Sequence, residues 1–294
     1  MSLYKYVTAA RFDILKNARI RFTPPEDLND PFEMKPYFNA PAEDNEFLKQ
    51  LEKARAEITE EALQHTFRML PVSMQTPLNY QYLASMLLEQ SSSEGEDGWK
   101  HMLPNLLQTA VQLQPEIRKL VQHNMTKQIG VLCLTEKPDN LLMWAHYSQN
   151  HTGFVLEFDE THDFFQKRRF PDDEAGYLRK VVYTLERPTR PTMIELTSTD
   201  LFLTKGKDWE YEQEWRVLRL MEEADTVFGM LPLFSLPPSC LSGIIFGCRM
   251  ETQQKQDIIN FLAADTRYAH IKKSHTAMSE TQYKLDIVPY ESVH

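Results

Sequence analysis

Between Trp209 and Val217 the chain alternates between two chemistries: Trp209, Tyr211, Trp215 and Val217 occupy odd positions, while Glu210, Glu212, Glu214 and Arg216 occupy even ones. On an extended strand these sets stand on opposite faces. A helix would scatter the aromatics, because spacings of two and six share no face of a 3.6-residue period. The pattern therefore predicts one strand, with carboxylates roughly 7 Å apart along an acidic strip. Burying unpaired carboxylates is costly, so Glu212 and Glu214 are expected outside the hydrophobic core and Trp209 and Trp215 inside it. An antiparallel strand with one wet face alternates in the same way without any function.

Other segments supply the surrounding architecture. Short strands are expected at Leu3–Tyr6 and Arg19–Phe22, with a helix from Thr8 to Asn17 between them. Thr23-Pro-Pro-Glu26 has the form of a capped helical turn with Thr23 as N-cap, and Asn29-Asp-Pro31 forces a turn. Further strands are expected at Ile129–Thr135, Phe154–Asp159, Lys180–Thr184, Ser242–Phe246 and Leu285–Val288, and helices at 138–149 and 251–262. Gly153 suits a left-handed helix terminus. From Asp44 to Lys127 the pattern is helical only, with Phe47, Leu51, Ala54, Ile58 and Ala62 forming a stripe, and Ser91–Gly98 reads as a surface loop. The expected architecture is α+β: a mixed or antiparallel β core from residues 1–42 and 129–294, and a helical insertion from 43–128.

Composition limits the function classes. Of 294 residues, 42% are apolar and 25% charged, which describes an ordinary globular protein. No apolar run of membrane-spanning length and no secretory layout occurs, so a cytoplasmic protein without a membrane partner is expected. A net charge of −10 argues against non-specific nucleic-acid binding. The spacing of Cys133, Cys240 and Cys248 does not suit zinc, and His146 and His151, five apart, are poorly placed for a shared metal. Glu26, Asp27, Asp30 and Glu33 could hold Mg²⁺, but capping and turn formation explain most of them without it, so no metal is expected. The glycine-rich nucleotide loops GxGxxG and GxxxxGK[ST], and the hydrolase motif GxSxG, are absent.

Asn29-Asp-Pro-Phe-Glu33, Met143-Trp-Ala-His-Tyr147 with His151 and Gly153, and Tyr211-Glu-Gln-Glu-Trp-Arg216 together resemble the signature of a widespread bacterial family of unknown function. Some of its members are labelled abortive-phage-infection proteins, which implies a role in phage defence. The resemblance covers nearly the whole chain outside the helical block.

The order of elements, ending in a late strand with Glu212-Gln-Glu214, is also similar to the ADP-ribosyltransferase fold. That likeness implies NAD as a nucleotide substrate and Glu214 as the catalytic acid. Where that superfamily usually has His or Arg, the first strand offers Tyr4, Lys5 and Tyr6. In chemical terms, Glu214 would stabilise the oxocarbenium charge that develops when the nicotinamide bond breaks. Glu212 would accept a proton from the attacking group. Tyr6 or Tyr147 would stack on nicotinamide, Arg21 would take the diphosphate, and Tyr4 and His146 would complete the site. Arg216 paired to either Glu is the structural alternative, lowering their pKa values. Other readings are a non-catalytic sensor or antitoxin-like module whose acidic strip binds a basic protein surface, and a metal-dependent hydrolase.

Overall fold

The computed structural model describes residues 2–35, 37–38, 59–68, 128–168, 175–190, 198–228 and 231–290, with isolated positions at 76, 77, 80, 81, 84, 171 and 173. By compactness the chain divides into two units. One comprises Met1–Pro36, Gln122–Pro188 and Thr197–His294; the other comprises Tyr37–Val121 and Thr189–Leu196.

The strands, in chain order, are β1 (Ser2–Val7), β2 (Arg19–Arg21), β3 (Tyr37–Phe38), β4 (Ile129–Thr135), β5 (Phe154–Asp159), β6 (Arg179–Lys180), β7 (Val182–Thr184) and β8 (Thr189–Arg190). They continue as β9 (Thr204–Gly206), β10 (Glu214–Leu220), β11 (Thr226–Phe228), β12 (Leu231–Ser235), β13 (Leu241–Phe246), β14 (Lys272–Met278) and β15 (Leu285–Pro289). The α-helices are α1 (Asp13–Asn17), α2 (Glu60–Arg68), α3 (Leu141–Tyr147), α4 (Ser198–Phe202) and α5 (Thr252–Ala264).

The larger unit is organised by an eight-stranded sheet in the order β15-β14-β13-β5-β1-β4-β10-β6. All its pairings are antiparallel except that of β13 with β14. A parallel pair needs a crossover, and α5 provides it. The fold is thus α+β around a mostly antiparallel sheet. Smaller sheets are β11-β12-β2 and the parallel pair β7-β9.

The period of two decides what covers each face. Leu3, Val7, Leu156, Phe158, Ile244 and Phe246 join one core cluster, to which α5 adds Ile258 and Leu262. Tyr6, Val155 and Ile245 point the other way and meet Met143 and Trp144 of α3. Trp144 is fully buried, packs edge-on to Tyr6 at 5.2 Å between ring centroids, and donates its indole N–H to Pro138 O at 2.9 Å. Helix α3 starts where Asn140 Oδ1 accepts the N–H groups of Leu142 and Met143.

In the smaller unit β3 and β8 pair in parallel. Helix α2 buries Leu63, and its Phe67 ring meets Tyr80 edge-on at 5.1 Å. The expected Phe47-to-Ala62 stripe lies outside the described residues apart from its end at Ala62, and the Ser91–Gly98 loop lies wholly outside them. Among the described residues no helix is long and apolar enough to cross a membrane.

Several local expectations are corrected. The segment from Trp209 to Val217 is not one strand: Lys207–Glu212 forms a 3-10 helix, Gln213 turns the chain at φ 43°, and β10 begins only at Glu214. Trp209 and Trp215 are half-buried, while Glu212 and Glu214 are each 3% exposed. Polar alternation marked these side chains as charged but not their solvation, because Lys205 of β9 and Arg216 of β10 itself cover the acids. Gly153 is not left-handed; Gln149, Asn150 and His151 are, at φ 51°, 56° and 71°. Gly153 serves close packing instead, since a Cβ there would sit 2.1 Å from Val7 O. Thr23 caps no helix; its backbone bridges to Val131, and Pro24 precedes the 3-10 turn Pro25–Asp27.

Candidate functional site

A cavity of about 210 Å³ opens where the central sheet parts. Strand β1 keeps six residue pairs with β5 but is registered with β4 only at Tyr4↔Thr135. Farther along, β4 is held by Thr23, which exchanges two backbone hydrogen bonds with Val131 at 2.8 and 2.9 Å. Tyr4, Lys5 and Tyr6 of β1 line the gap on one side, and Cys133 and Thr135 of β4 on the other. Met143 and Tyr147 of α3, Asp27–Asn29, Lys205, Glu212 and Glu214 complete the wall.

The acids reach this wall because of the break in the expected strand. Glu212 ends the 3-10 helix, left-handed Gln213 redirects the backbone, and Glu214 opens β10. Both carboxylates then converge on one ammonium: Lys205 Nζ lies 2.7 Å from Glu212 Oε2 and 3.0 Å from Glu214 Oε2. The same ammonium is 3.7 Å from Glu33 Oε1. Arg216 donates from Nε to Glu214 Oε1 at 2.8 Å and from Nη2 to Glu214 Oε2 at 3.0 Å. It also pairs with Glu33 and donates from Nη1 to Phe202 O at 2.7 Å. All five side chains are buried. Buried charges persist only when paired and hydrogen-bonded, and this network meets that condition for Glu212 and Glu214. Among the described residues Glu33 Oε2 has no hydrogen-bond partner.

A tyrosine connects the acids to the cavity. Tyr147 Oη donates to Glu212 Oε1 at 2.5 Å and accepts from Asn29 Nδ2 at 2.7 Å. Burial, reinforced by the Glu212 charge, raises the Tyr147 pKa, so the phenol stays a donor. Burial also raises that of Tyr6, whose hydroxyl donates to Lys137 O at 2.6 Å. Burial pushes Glu214 up against the pull of Lys205, with Glu212 adding to the rise. At Glu214 desolvation thus outweighs the cation beside it, and the lowering expected from an ion pair does not appear there. Burial works against the charge on Lys205, yet Glu214 and Glu212 prevail and hold its pKa above the ordinary lysine value.

The structure thus brings Tyr4, Tyr6, Tyr147, Glu212 and Glu214 to one cavity. His146 is exposed and does not line it; on α3 it points away, although its ring centroid is 6.4 Å from that of Tyr147. Arg21 is absent from the wall as well, held in an ion pair by Asp27, which does line it. Lys205 was not legible in the sequence: a lone Lys after Leu201-Phe-Leu-Thr204 carries no periodic signal. It also lines a second cavity of about 410 Å³, bounded by Asp30–Lys35, Thr184–Pro188 and Thr204–Trp209. That cavity is larger, but the hydrogen-bonded acid pair and the tyrosines stand at the first. Among the described residues no His, Cys, Asp and Glu cluster suits a metal ion.

Residues 143–217, about a quarter of the chain, match the model of a family described as "Protein of unknown function (DUF2971)". The matched segment runs from Met143 in α3 to Val217 in β10, so it contains Tyr147, Lys205, Glu212, Glu214 and Arg216 but not Asn29–Glu33. Neither the curated proteins nor the solved structures include a match.

Proposed function

We propose that this is a cytoplasmic enzyme that binds the nicotinamide-ribose end of NAD in the β1–β4 cavity and breaks its glycosidic bond, as an ADP-ribosyltransferase or NAD glycohydrolase. The observation that carries this reading is the convergence of Glu212 and Glu214 on Lys205 in the wall of a tyrosine-lined cavity. At about 210 Å³ the space is below the roughly 300 Å³ at which drug-sized sites begin, so it suits one ring and a sugar, with the rest of the dinucleotide extending outward.

In the proposed reaction the C1′–N bond breaks and its electron pair leaves on the nicotinamide nitrogen, neutralising the pyridinium charge. The ribosyl cation forms a new bond to the oxygen or nitrogen of water or of an acceptor group. That nucleophile's proton passes to a carboxylate. Glu212 suits the contact best, because among the described residues one of its oxygens meets the Tyr147 hydroxyl alone and Lys205 holds the other. Its fixed charge opposes the developing cation without reorganising. Glu214, committed to Arg216 and Lys205, positions that machinery. Tyr6 and Tyr147 offer ring faces to nicotinamide.

Burial of both acids favours an enclosed ligand over an acidic contact strip for a protein partner. A place in phage defence rests on the motif resemblance alone. The test is incubation of the purified protein with NAD labelled in nicotinamide and in adenine, with and without candidate acceptors. Nicotinamide release that disappears in Glu212→Gln is expected. Absence of both turnover and calorimetric NAD binding would sink the proposal.

A further inference from the structure

We propose that Lys5 is the anion-holding residue of the cavity, and that its ligand carries a phosphate group beside the Lys5 ammonium. The inference rests on the cavity being the ligand site, and it names the chemistry the ligand must have.

Charge pairing around the wall carries the argument. Every lining carboxylate already has a cation: Asp27 has Arg21, Glu212 has Lys205, and Glu214 has Arg216 and Lys205. Lys205 is fully committed, with Glu33 as a third acid. Lys5 is the exception. Among the described residues its Nζ makes no ion pair within 4.0 Å, and its hydrogen bond goes to the carbonyl of Cys133 at 3.2 Å. An ammonium has three donors, so the cavity holds a half-buried cation with donors to spare.

The fold explains the position. Were β1 and β4 paired along their length, their backbones would close the space into which the Lys5 side chain reaches. Arg11, the nearby cation that Lys5 also feels, is held by Asp13 at 3.0 Å. Burial lowers the Lys5 pKa against the smaller opposing pulls of Cys133 and Glu214. A phosphate there would supply charge-assisted hydrogen bonds. This moves the anion-holding role from Arg21, which Asp27 occupies, to a residue on the central strand.

The experiment compares nicotinamide riboside with nicotinamide mononucleotide, which differ only in the phosphate, by calorimetry on the wild type, Lys5→Gln, Lys5→Met and Lys5→Arg. Pyrophosphate is added separately in thermal melts. The mononucleotide is expected to bind the wild type roughly tenfold to a hundredfold more tightly. The gap closes in Lys5→Gln and survives in Lys5→Arg, and pyrophosphate raises Tm only where the cation remains. Lys5→Met keeps the apolar stem and replaces Lys5→Gln if that variant does not fold. Equal affinities in the wild type, a gap that persists without the charge, or no effect of pyrophosphate on the wild type each overturn the proposal. Lys5-dependent mononucleotide binding without any nicotinamide release would uphold this assignment and reject glycosidic cleavage, so the two readings fail separately.

Discussion

Arg216 grips Glu214, two residues earlier on the same strand, through two hydrogen bonds of 2.8 and 3.0 Å, both side chains being buried. Strand β10 thereby carries a counter-ion for its own acid on one face. Removing the acid leaves Arg216 with Glu33 alone and Lys205 with Glu212 and Glu33, and breaking a buried pair from one side costs up to about 3–5 kcal/mol. Glu214→Gln is accordingly expected to destabilise the fold by that order in urea titration. A paired replacement, Glu214→Met with Arg216→Met, should recover part of the loss. A Glu214→Gln variant of wild-type stability would show that the pair is dispensable.

Tyr147→Phe deletes the hydroxyl between Asn29 and Glu212 while keeping the ring. Hydrogen bonds to charged groups contribute about 1.5–3 kcal/mol. On the proposed reaction, a fall in kcat with little change in KM is expected, because the ring face that meets the ligand is retained. A rise in KM at constant kcat would instead assign the hydroxyl to ground-state binding.

Gly153 has no room for a side chain. A Cβ would stand 2.1 Å from the Val7 carbonyl oxygen and 3.1 Å from Ser148 Cβ. Gly153→Ala must shift backbone in the central sheet, at a cost at or above the about 1–3 kcal/mol of ordinary overpacking. At Gly206 the nearest atom to such a Cβ is 3.8 Å away, so Gly206→Ala should stay within about 0.5 kcal/mol of the parent. Similar midpoints for the two variants in chemical denaturation would contradict this.

Alkaline pH should weaken the fold through Cys240. Burial pushes this thiol up to about 12, whereas an unfolded thiol titrates near about 8.5. Between these values the native state keeps a proton that the unfolded chain has released, so stability falls as pH rises. The contribution is complete below about pH 8.5 and is lost on the way to pH 12. Its slope is up to about 1.4 kcal/mol per pH unit. Denaturation series for Cys240→Ala and the parent should converge as pH climbs from about 8 to about 10. Parallel curves would show that the thiol does not contribute.

Much of this architecture was legible in local patterns. Alternating or continuous apolar runs marked β1, β4, β5 and β13, because each has a face or both faces in the core. The site was legible in part: Tyr4, Tyr6, Tyr147, Glu212 and Glu214 share a wall, while His146 and Arg21 do not. His146 could not be separated from Tyr147, its neighbour, without the rotation of α3. Burial of Glu212 and Glu214 was illegible for a different reason. It depends on Lys205 from β9 and on Glu33 from the N-terminal loop, contacts that no local period encodes. Left-handed Gln213, which turns the acids toward one ammonium, has no glycine to announce it.

The register Ser2↔Asp159 has a consequence for biosynthesis. Strand β1 is made well before its neighbours β5 and β4, which lie far downstream, with Ile129 the earliest residue of either. At ribosomal speeds of about 5–20 residues per second, β1 waits on the order of ten seconds for a partner. Leu3 and Val7, wholly or almost wholly covered in the finished protein, stay exposed through that interval beside unpaired strand edges. The cavity between β1 and β4 therefore comes into being only after translation has passed both of its walls.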